Sequence, residues 1–187
     1  MIIEPITGQL VRLRCAEEDD AGFTLAIRND PELTKIMPPI HNTLQEQREW
    51  ISKQRKLDNS CFMVFENLEG TPLGTIGFYN VDFSAQICET GRYISYGSPA
   101  ENIEAVILQL DYLFKKRKFK KIYGHIQLAN KHVMAFNERF GYEFVREMDM
   151  DWGGPSALYS LCPESYYARR PKIKKLLDSA SPKEYLP

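Results

Sequence analysis

Glu89 and His125 are the two side chains of this sequence best suited to proton transfer. Glu89 lies in the strand-like segment ICETGRYIS, on the face that alternation shares with Ile87 and Tyr93, and a carboxylate there can act as a general base. His125 lies in the middle of the segment IYGHIQL, and an imidazole titrates near neutral pH. A salt-bridged strand glutamate and a hydrogen-bonded structural histidine are the alternatives for these two positions.

The stretch YGSPAEN, residues 96–102, has the composition of a helix start, where free backbone N–H groups often bind phosphate. Ser98 and Glu101 form an S-x-x-E capping box, and Pro99 occupies the first helical position. Such a cap stabilises a helix by about 1 kcal/mol, and Glu101 adds a negative charge where an anion would bind. The sequence therefore predicts a helix start that is closed by its own side chains and binds phosphate weakly.

The elements that position these residues follow from short patterns. QLVRLR predicts a strand, EEDDAGFTLAIRND predicts a helix that ends at Asn-Asp-Pro, and Thr43 with Glu46 opens a second helix. CFMVFE, PLGTIGFYNV and ICETGRYIS predict three antiparallel strands joined by turns. Apolar residues at helical spacing from Ile103 to Phe114, followed by the basic run KKRKFKK, predict a helix with cations at its end.

The remaining segments predict a crossover and a tail. KIYGHIQL predicts a strand, NKHVMAFNERF a helix that starts at Asn130 and stops near Gly141, and the residues after it another strand. A helix between two strands predicts that they pair locally in parallel. SALYSLC predicts a last strand, and the tail has a weakly amphipathic piece around Ile173, Leu176 and Leu177 with an end that frays.

Size and composition favour one domain in a cytoplasmic protein. The chain has 187 residues, 43% of them hydrophobic, and 24 Lys and Arg against 25 Asp and Glu, which argues against nucleic acid as a partner. The four cysteines form no C-x-x-C pair, so neither a zinc site nor a disulfide framework is predicted. No signal-peptide pattern and no run of about eighteen apolar residues indicates a membrane partner.

The order of the elements and three local matches resemble the GNAT N-acetyltransferase superfamily over roughly residues 9–162. RND followed by TLQEQREWI resembles the branch that acetylates protein N-termini and amino sugars, and ETGRYI resembles the family's central strand. NKHVMAFNERFGY is similar to the family signature N-x-x-A/V-x-x-x-x-E-K-x-G-F, and it is the most specific of the three matches. The matching signature residues are Asn130, Val133, Glu138, Gly141 and Tyr142.

The resemblance implies an α+β fold of α/β/α layers, with a mixed, mostly antiparallel sheet splayed at its centre and flanked by helices. Residues 1–165 would form the acyltransferase domain, and residues 166–187 a partly helical tail packed on it or fraying from it. Acetyl-CoA would be the cosubstrate, without a metal, and its pantetheine arm would insert between the central strands. Its pyrophosphate would meet the helix start, where GSPAEN stands in place of the family's Q/R-x-x-G-x-G/A turn.

The resemblance also implies catalytic roles. Glu89 is the first candidate for the base, and His125 is a further catalytic candidate. Asn137 occupies the place of the tyrosine that protonates the leaving thiolate in many family members, so Tyr96 and Tyr142 become the candidates for that role.

The implied binding residues fall into two groups. Arg28 and His41 would face the acceptor, although an ordinary loop position is the alternative for His41. Asn130 would fix the cofactor arm, a role compatible with capping the helix that follows it. The full set of candidate cofactor-binding residues is Tyr93, Ile94, Ser95, Tyr96, Ser98, Ala100, Asn102, Asn130 and Asn137.

The function implied by the resemblance is transfer of an acetyl group from acetyl-CoA to a primary amine. The tail YYARRPKIKKLL favours a nucleotide-linked amino sugar as the acceptor. A protein N-terminal acetyltransferase is one alternative, and a non-catalytic GNAT-fold protein that has lost CoA binding is another. The expected partner is a small-molecule amine or nucleotide sugar, with neither nucleic acid nor membrane, and a homodimer is left open.

Overall fold

The computed structural model describes residues 1–35, 37, 39–150 and 154–180, which form one eight-stranded sheet and five α-helices. The strands are β1 (Ile6–Thr7), β2 (Val11–Cys15), β3 (Cys61–Asn67), β4 (Pro72–Asp82), β5 (Ile87–Ser95), β6 (Lys121–Gln127), β7 (Glu143–Met150) and β8 (Gly154–Leu161). Their order across the sheet is β1-β2-β3-β4-β5-β6-β8-β7. Neighbours run antiparallel except β5 and β6, which confirms a mixed, mostly antiparallel sheet.

The helices form a layer on each face of this sheet. They are α1 (Ala21–Arg28), α2 (Leu44–Lys56), α3 (Pro99–Asp111, continued by a π-helical turn over Tyr112–Lys116), α4 (Lys131–Phe140) and α5 (Pro163–Ala180). Helices α1 and α2 enclose a small core around Ile51 and Phe62. Helices α3 to α5 cover the larger core, which includes Phe65, Leu110 and Phe140. The predicted three-layer α+β architecture is therefore confirmed.

Side-chain caps fix where the helices next to the split begin. Ser98 accepts a hydrogen bond from the backbone of Glu101, and the Glu101 side chain returns one to Ser98, as the S-x-x-E pattern predicts. Asn130 caps α4 by accepting from the N–H of Val133, and Gly141 ends this helix with φ +96°, a value that favours glycine. These boundaries confirm the predicted helix starts and the predicted stop at Gly141.

The sheet opens between its two central strands. β5 pairs with β6 only over residues 87–89, which face residues 121–123, although both strands continue well beyond that point. The open edge of β5 from Thr90 to Ser95 therefore faces a gap rather than a neighbouring strand. This confirms the predicted splay and places its apex at Glu89.

A β-bulge in β5 changes which side chains share a face. Gly91 faces Gly77 and Ile94 faces Thr75, so β5 holds one residue more than β4 over this interval. Arg92 lies at the bulge and adopts a left-handed backbone conformation with φ +57°. The prediction that Glu89 and Tyr93 share a face is therefore wrong, because simple alternation does not survive a bulge.

The predicted parallel pairing across α4 is also wrong. β8 lies between β6 and β7 and pairs with both of them antiparallel. The charge of the two last strands gives the reason, since β8 has no charged residue and carries alternate buried residues, whereas β7 carries four charged residues and is mostly exposed. The uncharged strand takes the interior position and the charged strand takes the sheet edge.

The chain after β8 forms α5, which packs on the large core. Tyr166 is fully buried, and Ile173 and Leu177 are buried, whereas Leu176 is 46% exposed. The predicted fraying concerns residues 181–187, which lie outside the described residues. In the described part of the chain, no helix combines the length and the apolar character that crossing a membrane requires.

Candidate active site

Glu89 and His125, predicted separately, lie together at the apex of the split. The Nε2 atom of His125 is 3.3 Å from Oε2 of Glu89, and the two side chains are 12% and 23% exposed. The other carboxylate oxygen accepts a hydrogen bond of 3.0 Å from Nδ2 of Asn80. A partly accessible carboxylate held from two sides is well placed to accept a proton.

The opposite face of the same split carries hydroxyl groups. The hydroxyls of Thr90 and Tyr142 are 2.8 Å apart, and Thr90 Oγ1 also lies 3.4 Å from the backbone oxygen of Tyr123. Gly124 lies across the gap, where a Cβ atom would meet the Tyr142 ring at 3.7 Å and Nδ2 of Asn137 at 4.0 Å. Burial raises the pKa of Tyr142 well above its ordinary value, so its hydroxyl stays protonated and can donate.

An aromatic stack lines the split next to these hydroxyls. The ring of Tyr93 stacks on Phe65, at 6.2 Å between centroids, and on Phe136 of α4, at 6.3 Å. Ile94, the next residue, is buried on the other face, where it pairs with Thr75. The side chains of these two predicted cofactor-binding residues therefore pack in the core, and what they can offer a ligand is their backbone.

The turn between β5 and α3 is closed by its own side chains. Ser95 Oγ accepts from the Gly97 N–H at 2.7 Å and lies 2.5 Å from Oδ1 of Asn102. Asn102 Nδ2 donates to the Gly97 oxygen at 3.0 Å, and Glu101 Oε2 accepts from the Ser98 N–H at 2.7 Å. The turn therefore already uses the donors at Gly97 and Ser98 that a phosphate would need.

Of the remaining predicted residues, Tyr96 lies apart from the Glu89–His125 pair. It follows the end of β5, seven residues or roughly 20 Å from Glu89 at strand spacing, and the hydroxyl of this half-exposed residue donates to Asp30 at 2.8 Å. His41 is exposed, and Arg28 is partly buried at the end of α1. A catalytic role for Tyr96 and acceptor contacts for Arg28 and His41 stay predictions.

Comparison with known proteins decides the family. Residues 11–143 match the Acetyltransferase (GNAT) domain family. The chain belongs to the GNAT acetyltransferase family. Its similarity to the uncharacterized protein YkkB of Bacillus subtilis (strain 168) reaches 26% identity over 160 residues, which cover 80% of this chain and 90% of YkkB.

Solved GNAT structures share the fold of this GNAT chain. A GCN5-related N-acetyltransferase from Brucella melitensis superposes with a TM-score of 0.79 at 18% identity, covering 93% of this chain and 85% of that protein. FdhC, described as a nucleotide-linked sugar GNAT, superposes with a TM-score of 0.74 at 17% identity, covering 95% and 98%. At these identities the likeness shows the shared fold and leaves the acceptor open.

The GNAT split suits the pantetheine arm of acetyl-CoA better than its pyrophosphate. The unpaired edge of β5 after Glu89 offers backbone groups to an extended pantetheine arm, as a strand edge does. A pyrophosphate at the start of α3 would meet Pro99, which has no N–H, and the carboxylate of Glu101. Within the described residues, no cluster of three or more His, Cys, Asp or Glu side chains could hold a metal ion.

Sequence reasoning missed the neighbours that complete this site. Asn80 and Thr90 were missed because their roles depend on register across β4, β5 and β6 rather than on residue type. Arg92 was missed because a bulge directs its side chain, and ETGRYI carries no clear signal for a bulge. The available hint was the chemistry of an arginine in a strand at the centre of the sheet, which requires polar or aromatic partners.

Proposed function

We propose that this GNAT protein transfers the acetyl group of acetyl-CoA to the primary amine of a small molecule, with a nucleotide-linked amino sugar as the specific acceptor. The observation that carries the proposal is the Glu89–His125 pair at the apex of the split, held by Asn80. A base is needed there because an alkylammonium group is not nucleophilic until it loses a proton.

Each residue around the split has a defined task in this proposal. Glu89 accepts the proton of the amine, and His125 positions Glu89 by holding one of its oxygens. Tyr142, kept protonated by its burial and paired with Thr90, is the donor for the leaving thiolate. Acetyl-CoA, when bound, supplies a thioester, and the open edge of β5 orients it.

The amino-sugar acceptor has weaker support than the acyl transfer itself. The architecture shared with a nucleotide-linked sugar GNAT is compatible with it. The basic tail offers fewer free cations to a diphosphate than its sequence indicated. Arg170 is already bound to Asp111, at 2.8 Å between Nε and Oδ1. Arg170 therefore anchors α5 to α3 and is a poor candidate for the diphosphate.

Calorimetry and steady-state kinetics test the proposal together. Acetyl-CoA should bind the purified protein, and an amine screen should yield an acceptor whose acetylation falls roughly 100-fold to 10,000-fold in Glu89→Gln. Acetyl-CoA affinity should be unchanged in this variant, since Glu89 is assigned to the amine. His125→Gln should also slow acetylation, because His125 positions Glu89. The matched control is His132→Gln, at an exposed residue of α4, which should leave the rate unchanged. A wild-type rate in Glu89→Gln would overturn the assignment of the base.

A second candidate function is a GNAT-fold protein that no longer binds CoA. The self-capped turn favours it, because Ser95, Ser98, Glu101 and Asn102 already satisfy one another and the turn backbone. This candidate predicts neither heat nor thermal stabilisation with millimolar acetyl-CoA. Measurable binding would exclude it.

A further inference from the structure

Arg92 enters the layer between the sheet and α2 and lies against three aromatic rings. Its guanidinium carbon is 4.8 Å from the ring centroid of Tyr79, 5.5 Å from Trp50 and 5.9 Å from Phe62. Gly77 lies beside the stem, where a Cβ atom would make an ordinary contact of 3.5 Å with Cδ of Arg92 but would meet the Cys61 backbone oxygen at 2.9 Å. The β5 bulge and these rings hold the cation on the same face as Glu89.

The polar partners of Arg92 are neutral and occupy only part of its guanidinium. Nη1 donates to Oε1 of Gln54 at 3.0 Å and lies 3.3 Å from Oγ of Ser60. Among the described residues, no carboxylate oxygen lies within 4.0 Å of the guanidinium nitrogens, and neither Nε nor Nη2 has a protein acceptor. The donors on Nε and Nη2 therefore stay available to a ligand.

Two other partly buried arginines, Arg14 and Arg170, are paired with acids. Arg14 contacts both oxygens of Asp20, at 2.7 and 2.8 Å, and its Nε contacts Glu66 at 2.8 Å. Arg170 contacts both oxygens of Asp111. Arg92 differs from both, and burial lowers its pKa, whereas hydrogen bonds to acids raise those of Arg14 and Arg170.

A half-buried arginine remains charged although it has lost part of its hydration. A bound anion therefore stabilises it more than it stabilises an exposed arginine. Its planar fork binds carboxylate or phosphate oxygens in pairs. Tyr79 links this cation to the catalytic apex, because its ring lies under Arg92 while its backbone faces Glu89. Arg92 is three residues from Glu89, about 10 Å along the strand.

We propose that the acceptor carries an anionic oxygen group, carboxylate or phosphate, which binds Nε and Nη2 of Arg92 while its amine lies at Glu89. The inference rests on the proposed function for the identity of the ligand as an acceptor. It assigns the anionic group of that acceptor to Arg92, and it excludes polyamines as preferred substrates, since a second cation would face Arg92.

Calorimetry without acetyl-CoA tests the anion site separately from catalysis. Two matched pairs of amines that can span about 10 Å serve as probes, 6-aminohexyl phosphate against hexylamine for phosphate and 7-aminoheptanoate against heptylamine for carboxylate. Wild type should bind one anionic member at least tenfold more tightly than its neutral counterpart, and inorganic phosphate should compete with it. The preferred pair identifies which anion the acceptor carries.

Variants then assign the preference to Arg92. Arg92→Met should abolish it, and Arg92→Lys should retain it in part, because the charge remains but the fork is lost. Arg117 provides the control, since this exposed arginine also lies over one ring, Phe83, at 5.5 Å. Arg117→Met should bind like wild type.

The outcomes separate this proposal from its alternatives. Equal affinity within both pairs, or no binding of either anionic amine, would overturn it and leave Arg92 as a packing cation. A preference that persists in folded Arg92→Met would do the same. If Arg92→Met does not fold, competition by phosphate in the wild-type protein and the Arg92→Lys affinities still decide. Binding with the expected preference but without acetyl transfer would place the failure in the proposed function.

Discussion

Replacing Glu101 by Gln should tighten acetyl-CoA binding if phosphate approaches the start of α3. The Glu101 carboxylate accepts from the Ser98 N–H at 2.7 Å, and a phosphate oxygen would compete for that donor. If the Glu101 carboxylate rotates aside until it lies about 6 Å from the phosphate, the repulsion between one pair of unit charges is about 2.8 kcal/mol at an effective dielectric of about 20. Screening at physiological salt roughly halves this value. The expected gain is therefore about 1.3 kcal/mol, or close to tenfold in Kd.

Titration calorimetry at two salt concentrations measures this effect, with variants that separate charge from cap. Gln keeps an acceptor for the Ser98 N–H, so Glu101→Gln isolates the charge, whereas Ser98→Ala removes the other half of the capping box. The gain from Glu101→Gln should shrink in about 1 M salt, where the screening length is about 3 Å. An unchanged Kd at low salt would refute the reasoning, since the pyrophosphate would then bind away from this turn.

Three further predictions concern buried polar groups. Glu104→Gln should lower the free energy of unfolding by about 2–4 kcal/mol, because both carboxylate oxygens of Glu104 accept backbone N–H bonds from residues 9–11 at 2.6–2.8 Å. Urea denaturation measures this loss, and a value below about 1 kcal/mol would contradict the prediction. Asp111→Asn should destabilise the protein at pH 7, and the difference should shrink only below about pH 4, as the pH falls from the ordinary carboxyl pKa through the lower pKa of folded Asp111. Burial raises the Asp111 pKa, but hydrogen bonds from Arg170, Lys115 and Tyr166 outweigh it and lower the pKa, so this contribution is present above the ordinary carboxyl pKa. A constant difference across pH would contradict that assignment. Tyr142→Phe should lower kcat by roughly tenfold or more, and the wild-type pH–rate profile should show no loss from Tyr142 up to about pH 10, since burial raises its pKa.

Local sequence signals predicted most of the elements, because those signals are physical and short in range. The capping boxes at Thr43 and Ser98, the Asn130 cap and the Gly141 stop each depend on side chains within four residues, and each is present in the structure. The strand segments were equally readable from their apolar and branched residues. Strand order was not, because the insertion of β8 between β6 and β7 depends on which strand can stand exposure at the edge.

The candidate site was predicted only in part, because its contacts depend on how the strands pair. Glu89 and His125 were recognised as chemical groups, but their 3.3 Å contact depends on the parallel register of β5 and β6. Tyr142 was a candidate by proximity alone, and the structure places its hydroxyl against Thr90 at the split. Arg92 required knowledge of a bulge, which arises from pairing with β4 and leaves little trace in the sequence of β5 alone.

The bulge at Arg92 also separates two evolutionary pressures on a single strand. Because the bulge turns Arg92 into the layer of Tyr79 and leaves Tyr93 in the layer of Phe65 and Phe136, position 92 can change its chemistry while position 93 keeps its stack. Selection for a new acceptor could therefore proceed at residue 92 without disturbing the neighbouring half of the groove. A one-residue irregularity thus decides that residue 92, rather than residue 93, shares the face of Glu89.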